Sequence, residues 1–185
     1  IVRPASAADS MSLVRRKLYG GHLEETDFAS ILRDVQAGRL SDIQISAFLS
    51  AGAALPLDDS ETMALTRAMV AVGERLKWDV PRVMDKHCVG GLPGNRTTPI
   101  VVAIVAACGL VIPKTSSRAI TSPAGTADMM ETLAPVDLDL PAIRRVVEAE
   151  GGCVVWGGAV RLSPTDDAFV RIEREIDIDA ESQLI

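Results

Sequence analysis

Between Val83 and Ile112 the chain reads as a short strand, a glycine-rich loop, a strongly apolar helix and a second short strand. That order implies an α/β layer, because parallel neighbours need a long crossover and a helix supplies it. Val83-Met84 is the first expected strand, Thr98 to Cys108 the helix, and Leu110 to Ile112 the second strand, stopped by Pro113. The helix is so apolar that both its sides are expected to be covered. The loop runs Asp85-Lys86-His87-Cys88-Val89-Gly90-Gly91-Leu92-Pro93-Gly94-Asn95-Arg96-Thr97-Thr98-Pro99. Gly90, Gly91 and Gly94 can take positive φ and turn backbone N–H groups toward one point, which makes an anion nest. Thr97, Thr98 and Pro99 read as the start of the helix, with a hydroxyl at the cap and proline in the first turn. The N-terminus of that helix adds N–H groups and a positive dipole end, and Lys86 and Arg96 add formal charge. The loop is not a Walker A motif: Asn95 stands five positions after Gly90, and no Gly-Lys-Ser/Thr follows. It also lacks the Gly-x-Gly-x-x-Gly spacing.

Charge singles out the same region. The chain has 19 basic and 25 acidic residues, yet residues 86–127 hold Lys86, Arg96, Lys114 and Arg118 and no acid. That window carries +4 and the remainder −10. One acid-free segment in an acidic protein suits a small anion better than a nucleic acid. Three Phe, two Trp and one Tyr leave few platforms for stacked bases. The most apolar run, Ile100 to Ile112, is too short to span a membrane and contains Gly109. Cys88, Cys108 and Cys153 form no Cys-x-x-Cys pair, so a reduced cytoplasm is the expected compartment. No secretory signal follows Ile1-Val2-Arg3-Pro4. The chain does not begin with methionine and ends on Gln183-Leu184-Ile185 without a stop signal, so a piece of a longer protein is expected.

Before the loop the pattern is helical. Leu13, Val14 and Leu18 share a face closed by Gly20-Gly21. Thr26 or Asp27 is expected to cap a helix bearing Phe28, Ile31, Leu32 and Val35, and Ser41 one with Ile43, Ile45, Phe48 and Leu49 apolar. After the break at Leu55-Pro56-Leu57, Asp58 or Ser60 opens a fourth with Met63, Leu65, Met69 and Val70. Ser122-Pro123 can open a helix through Leu133, Pro141 to Glu150 forms another, Cys153 to Trp156 is a buried strand, and Pro164 to Glu175 is amphipathic. The expected fold is α/β in class: an all-helical lobe (1–77), an incomplete α/β lobe with a mainly parallel sheet (78–162), and a segment (163–185) returning to the helical lobe.

A second polar cluster, Lys114 to Thr126, also follows a strand, and parallel strands place both loops at one sheet edge, where ligands of open α/β sheets sit. Ser116 and Thr126 can donate hydroxyls to phosphate oxygens. Lys114 alone reads as a solvated strand end and Ser122 as a helix cap. His87, the one histidine in the basic segment, stands beside Lys86, where a cation and a bound ligand would move its pKa. His22 reads as surface. Cys88 reads as a small buried residue: Lys86 can lower its pKa, but no base and orienter stand beside it. Asp85 and Asp128 lack metal-ligand spacing with His or Cys, so no metal is expected.

Lys86-His87-Cys88-Val89-Gly90-Gly91, Ser116-Ser117-Arg118 and Gly125-Thr126-Ala127-Asp128 together resemble the phosphate-binding signature of the thymidine phosphorylase family. The loop Gly91 to Pro99 and the segment Ile120 to Asp128 are most similar to the branch holding AMP phosphorylases and proteins named "putative thymidine phosphorylase". The resemblance runs from about residue 10 onward and is most specific from Asp85 to Asp128. It implies phosphorolysis of a nucleoside or nucleoside monophosphate, with inorganic phosphate as co-substrate and no cofactor. The products are free base and a (deoxy)ribose 1-phosphate or ribose 1,5-bisphosphate. By the family pattern Lys86, Cys88 (serine in thymidine phosphorylases), Thr97 or Thr98, Ser116 and Thr126 surround phosphate. His87 lies against the base, and Arg174, with Arg171 as the alternative, reaches it from the last helix.

The family's active site lies in the cleft between two lobes, and its helical lobe forms a homodimer interface. Its base-binding Ser-x-x-x-Lys segment would begin just beyond Ile185, so the chain alone is expected to be inactive. Two other readings stand beside this one. A phosphoribosyltransferase of the related two-lobe fold would need magnesium and a ribose diphosphate; a non-catalytic phosphate-binding or oligomerisation module would need neither.

Overall fold

Where a polar residue that can bond the backbone stands just before an apolar-periodic run, a helix starts. Ser41 accepts from the Gln44 N–H, and the Gln44 side chain accepts from the Ser41 N–H at 2.8 Å. Asp58 accepts from the Glu61 N–H at 2.8 Å, so Asp58 rather than Ser60 caps the fourth helix. The second helix starts from Glu24, not from Thr26 or Asp27. Asp27 is the third helical residue, and its carboxylate accepts from the Glu24 N–H at 3.2 Å. The structure, a computed structural model, describes residues 8–88, 94, 96–119, 125–160, 162 and 164–177. They divide into two units, 8–74 with 164–177 and 75–162.

The first unit is a helical bundle: α1 (Met11–Leu18), α2 (Glu25–Gln36), α3 (Asp42–Ala54), α4 (Asp59–Val72) and, from the far end of the chain, α8 (Pro164–Ile176). Phe28, Ile31, Leu32, Phe48, Phe169 and Ile172 meet in its core, and the Phe48 ring lies 6.3 Å from that of Phe28 and 6.0 Å from that of Phe169. Helix α8 packs on α2 and α3. Ile43, Met63 and Val70, expected on apolar faces, are exposed, because one stripe of each helix meets the bundle: Ile45, Phe48 and Ala51 in α3, Ala68 in α4. Among the described residues no helix is long and apolar enough to cross a membrane.

Asp34 ties the start of α1 to α2. It is buried and accepts from the Ser10 N–H (3.0 Å), the Ser10 hydroxyl (2.7 Å) and Arg39 Nε (2.6 Å). Burial pushes its carboxyl up, but the bonds from Ser10 and Arg39 outweigh that and hold it below the ordinary aspartate value. A folded pKa below the unfolded one, about 3.9, stabilises the fold above that pH and stops doing so as pH falls through the folded value. Asp34→Asn is therefore expected to lower Tm at neutral pH and to flatten its fall below about pH 4, read from Tm against pH.

The second unit is α/β. A parallel bridge joins Val83 to Val111, where the Met84 N–H donates to the Val111 carbonyl at 2.7 Å. Then follow α5 (Thr97–Ala107), β1 (Ile112–Ser116), α6 (Thr126–Glu131), α7 (Leu140–Glu150), β2 (Gly152–Trp156) and a 3-10 turn (Gly157–Val160). Strands β1 and β2 pair in parallel, from Ile112 opposite Gly152 to Ser116 opposite Trp156. Ile143 and Val147 of α7 pack on Cys153 and Val155 of β2. Val83-Met84 thus makes a single bridge rather than a strand.

Pro113 does not stop the second strand; it lies within it. The Ile112 N–H donates to the Gly151 carbonyl at 2.9 Å, so along an alternating strand the Pro113 nitrogen faces away from β2 and no bond of that ladder is lost. Helix α5 is not covered on both sides. Thr98 and Val102 are buried, but Ile100 and Ile104 are 61% and 57% exposed, because α5 lies with one face on β1 and β2. The helix expected from Ser122 begins at Thr126, with Gly125 as its cap; Ser122 and Pro123 lie outside the described residues.

Candidate active site

Parallel pairing at Val83 and along β1 sends the segments after Met84 and after Ser116 out at one end of the sheet. Lys86 and Cys88 come from the first, and Thr97 and Thr98 from the opening turn of α5. The Lys86 ammonium donates to Cys88 Sγ at 2.7 Å, to Thr98 Oγ1 at 2.9 Å and to Thr97 Oγ1 at 3.1 Å. An ammonium has three N–H donors, and these contacts use all three. The loop's threonines thus serve differently from the expected cap. Arg96 holds the N-cap position without a side-chain bond, while the Thr97 hydroxyl donates back to the Gly94 carbonyl at 2.6 Å. The Thr98 hydroxyl is buried against Lys86.

Lys114, the first residue of the second polar cluster, is placed differently from the reading of it as a solvated end. It is 3% exposed, not a solvated strand end, because it lies inside β1 two residues from Ile112 and on the same buried face. Its ammonium donates to the Thr115 carbonyl. Burial holds it below the usual lysine range and Lys86 adds to that, while Asp85 and Cys88 oppose it. Among the described residues, neither Lys86 nor Lys114 has a carboxylate within 4.0 Å. Thr126, 6% exposed at the start of α6, brings its hydroxyl toward the Cys88 thiol. Burial pushes that thiol up, but Lys86 and the hydroxyls of Thr98 and Thr126 outweigh it and hold it below the ordinary thiol range. Cys88 is thus half-buried beside an ammonium, not an inert core residue.

Arg118 is committed elsewhere. It donates to Asp128 (2.9 Å) and with both terminal nitrogens to Glu131 (2.8 and 2.9 Å), and it lies 4.9 Å from the centroid of the Trp156 ring. These two carboxylates, Glu131 foremost, raise its already high pKa. Asp128 in turn accepts from the Ala119 and Gly125 N–H groups at 2.9 and 3.0 Å. Arg118 and Asp128 therefore hold Ala119 and Gly125 in place, and the Ser116 hydroxyl donates to the Ser117 carbonyl at 3.2 Å. A Cβ on Gly125 would lie 2.6 Å from the Ala119 nitrogen and 2.9 Å from the Arg118 carbonyl carbon. Gly125→Ala must push backbone aside, and its expected cost is about 1–3 kcal/mol, measured by urea unfolding.

His87 is exposed, with Nε2 2.6 Å from Asp85 Oδ2. A carboxylate at that distance orients the ring and favours a proton on Nε2. The i, i+2 spacing of Asp85 and His87 was the signal for that pair. Arg96 is exposed, Gly94 half-buried, and Gly90 and Gly91 lie outside the described residues. Arg174 is exposed on α8 of the helical unit, where Arg171 makes two 2.8 Å bonds to Asp42. Among the described residues His22, Asp58 and Glu61 could bring three ligand atoms together for a metal. Both Glu61 oxygens are already held by Lys17 and the Leu23 N–H, and one Asp58 oxygen caps α4, so this set is engaged in structure.

Residues 11–73 match the helical bundle domain of a glycosyl transferase family, and residues 80–180 match that family's a/b domain. The chain is 70% identical over 179 residues to a protein of Chelativorans sp. (strain BNC1) named "Putative thymidine phosphorylase", covering 97% of this chain and 35% of that protein. It is 66% identical over 184 residues to a Parvibaculum lavamentivorans protein of the same name, covering 100% and 36%. The chain thus spans about a third of the length of these curated relatives. A solved structure, anthranilate phosphoribosyltransferase from Thermus thermophilus, superposes with a TM-score of 0.70 at 22% identity over 92% of this chain and 53% of that one, a likeness of fold. On these matches, the chain belongs to the glycosyl transferase family that joins a helical bundle domain to an a/b domain.

Proposed function

We propose that the protein is a nucleoside or nucleoside-monophosphate phosphorylase. Inorganic phosphate attacks the anomeric carbon as the carbon–nitrogen bond to the base breaks, leaving free base and a pentose 1-phosphate. One observation carries the reading: Lys86 and the buried Lys114 stand with the hydroxyls of Thr97, Thr98 and Thr126 and without a carboxylate within ion-pair reach among the described residues. Two ammonium groups outside ion-pair distance of any described carboxylate, in a partly buried, hydroxyl-lined place, suit a phosphate dianion. Phosphate is itself the nucleophile, so the protein needs to position it and stabilise charge rather than form a covalent bond. The dianion next to the sugar also stabilises oxocarbenium character at the anomeric carbon.

In this reading Lys86, Thr98, Thr126 and Ser116 hold phosphate, with Thr97 behind Lys86 and Cys88 in the place of a hydroxyl. His87, oriented by Asp85, assists the departing base. The test is release of free base by the intact protein from nucleosides and nucleoside monophosphates, with and without phosphate. Phosphate-dependent release that weakens in Ser116→Ala supports the reading; no release from any of them overturns it. The shared fold with a phosphoribosyltransferase favours one competitor, transfer from a ribose diphosphate. Activity that needs that donor and is abolished by chelating magnesium would move the assignment there.

A further inference from the structure

Asp128 and Arg118 connect the two places from which the hydroxyls of Ser116 and Thr126 come. One Asp128 oxygen accepts from the Ala119 N–H at 2.9 Å and from the Gly125 N–H at 3.0 Å. A single carboxylate atom thus ties the chain leaving β1 to the residue just before Thr126. The other Asp128 oxygen accepts from Arg118 Nη1 at 2.9 Å. Arg118 is fixed from two further sides, by its paired bonds to Glu131 and by the Trp156 ring, whose centroid lies 4.9 Å away. Trp156 stands opposite Ser116 at the end of the β1–β2 ladder. The connection therefore runs from Ser116 through Trp156, Arg118 and Asp128 to Thr126, which opens the helix that carries Asp128. Gly125 permits the close approach, since a Cβ there would lie 3.1 Å from Asp128 Oδ2. A carboxylate two residues from Thr126 would by itself oppose an anion, and the guanidinium offsets its charge while leaving its oxygens as acceptors.

We propose that Asp128, held by Arg118, is a positioning residue for phosphate: it sets the Thr126 hydroxyl relative to that of Ser116 without touching phosphate itself. The inference rests on the phosphorolysis reading and assigns the second loop its part in it. Two hydroxyls on different elements can grip one anion only if their separation is fixed beforehand, and a misplacement of about 1 Å can cost on the order of a hundredfold. Both carboxylate oxygens are needed for this. The amide of Asp128→Asn has one oxygen, which can serve the two backbone N–H groups or Arg118 but not both. Arg118→Met frees the same carboxylate from the other side. Arg118→Lys keeps a charge-assisted bond to Asp128 and gives up the fork to Glu131.

The intact protein and these three variants are assayed for release of free base at varied phosphate and, separately, at varied nucleoside or nucleoside monophosphate. The expected result is a KM for phosphate raised about tenfold or more in Asp128→Asn and in Arg118→Met, with the KM for the other substrate within about twofold of the unsubstituted protein. Arg118→Lys is expected to recover part of the loss. In the same variants, the rise in Tm that inorganic phosphate gives the unsubstituted protein shrinks. A merely structural role would lower Tm and the active fraction, and so kcat, and would leave both KM values where they were; that result overturns the proposal. If Asp128→Asn and Arg118→Met do not fold, Glu131→Gln decides, because it loosens Arg118 from behind and leaves every bond of Asp128 in place. A KM for phosphate raised several-fold in it supports the proposal, and an unchanged one overturns it. Phosphate-dependent release that the variants do not alter removes this inference alone. An unsubstituted protein that releases no base removes the phosphorolysis reading and this inference with it.

Discussion

Lys86→Ala is expected to lower kcat/KM for phosphate by about a thousandfold or more, equivalent to roughly 4 kcal/mol of transition-state stabilisation. The side chain does two things that no other described residue duplicates. It places an ammonium where phosphate charge would sit, and its three donors fix the sulfur of Cys88 and the oxygens of Thr97 and Thr98 relative to one another. Lys114 does not replace it, because that ammonium is buried in β1 and turned to the Thr115 carbonyl. Lys86→Arg is expected to recover only part of the loss, since a planar guanidinium does not direct donors at three divergent acceptors. The measurement is steady-state phosphorolysis at varied phosphate. A loss smaller than about tenfold would place the phosphate elsewhere.

The chemistry of the first loop was legible because it lies in residue types within one segment: glycines, a lysine, a histidine and two threonines before an apolar helix. What was not legible is which groups those residues would meet. A count of charges makes Arg118 part of the anion site, but α6 returns Asp128 and Glu131 to it and occupies its fork. Reading proline as a strand end hides the burial of Lys114; the direction of the Pro113 nitrogen depends on where β2 lies, and β2 is some forty residues further on. Burial followed the same division. Helix α2 has one apolar stripe, and the expected Phe28, Ile31, Leu32 and Val35 are all buried. Helix α5 is apolar all round, so its pattern cannot say which side meets the sheet, and the side carrying Ile100 and Ile104 does not. Thr97 and Thr98, which the motif left as alternatives, both bond Lys86, and burial distinguishes them.

The largest expected effect on stability lies in the helical bundle, at a pair the sequence does not announce because its members are 44 residues apart. Lys17 Nζ donates to Glu61 Oε2 at 2.7 Å, and the Leu23 N–H donates to Glu61 Oε1 at 3.0 Å. Both side chains are almost fully buried. Lys17 stands in the last turn of α1 and Glu61 in the first turn of α4, so each charge also complements the end of its own helix. Glu61→Ala leaves an ammonium buried without its partner and a backbone N–H without its acceptor. The expected loss is about 3–5 kcal/mol, a large fraction of what a domain has. Lys17→Met strands the carboxylate instead, with the Leu23 N–H and, 4.0 Å away, the His22 ring left to answer it. The double variant Lys17→Met with Glu61→Gln removes both charges while the amide oxygen still accepts from Leu23. It is therefore expected to be more stable than Glu61→Ala and than Lys17→Met. Urea unfolding followed by far-UV circular dichroism measures all three. A Glu61→Ala loss below about 1 kcal/mol would put the pair in the class of exposed ion pairs, open to water rather than enclosed between α1 and α4.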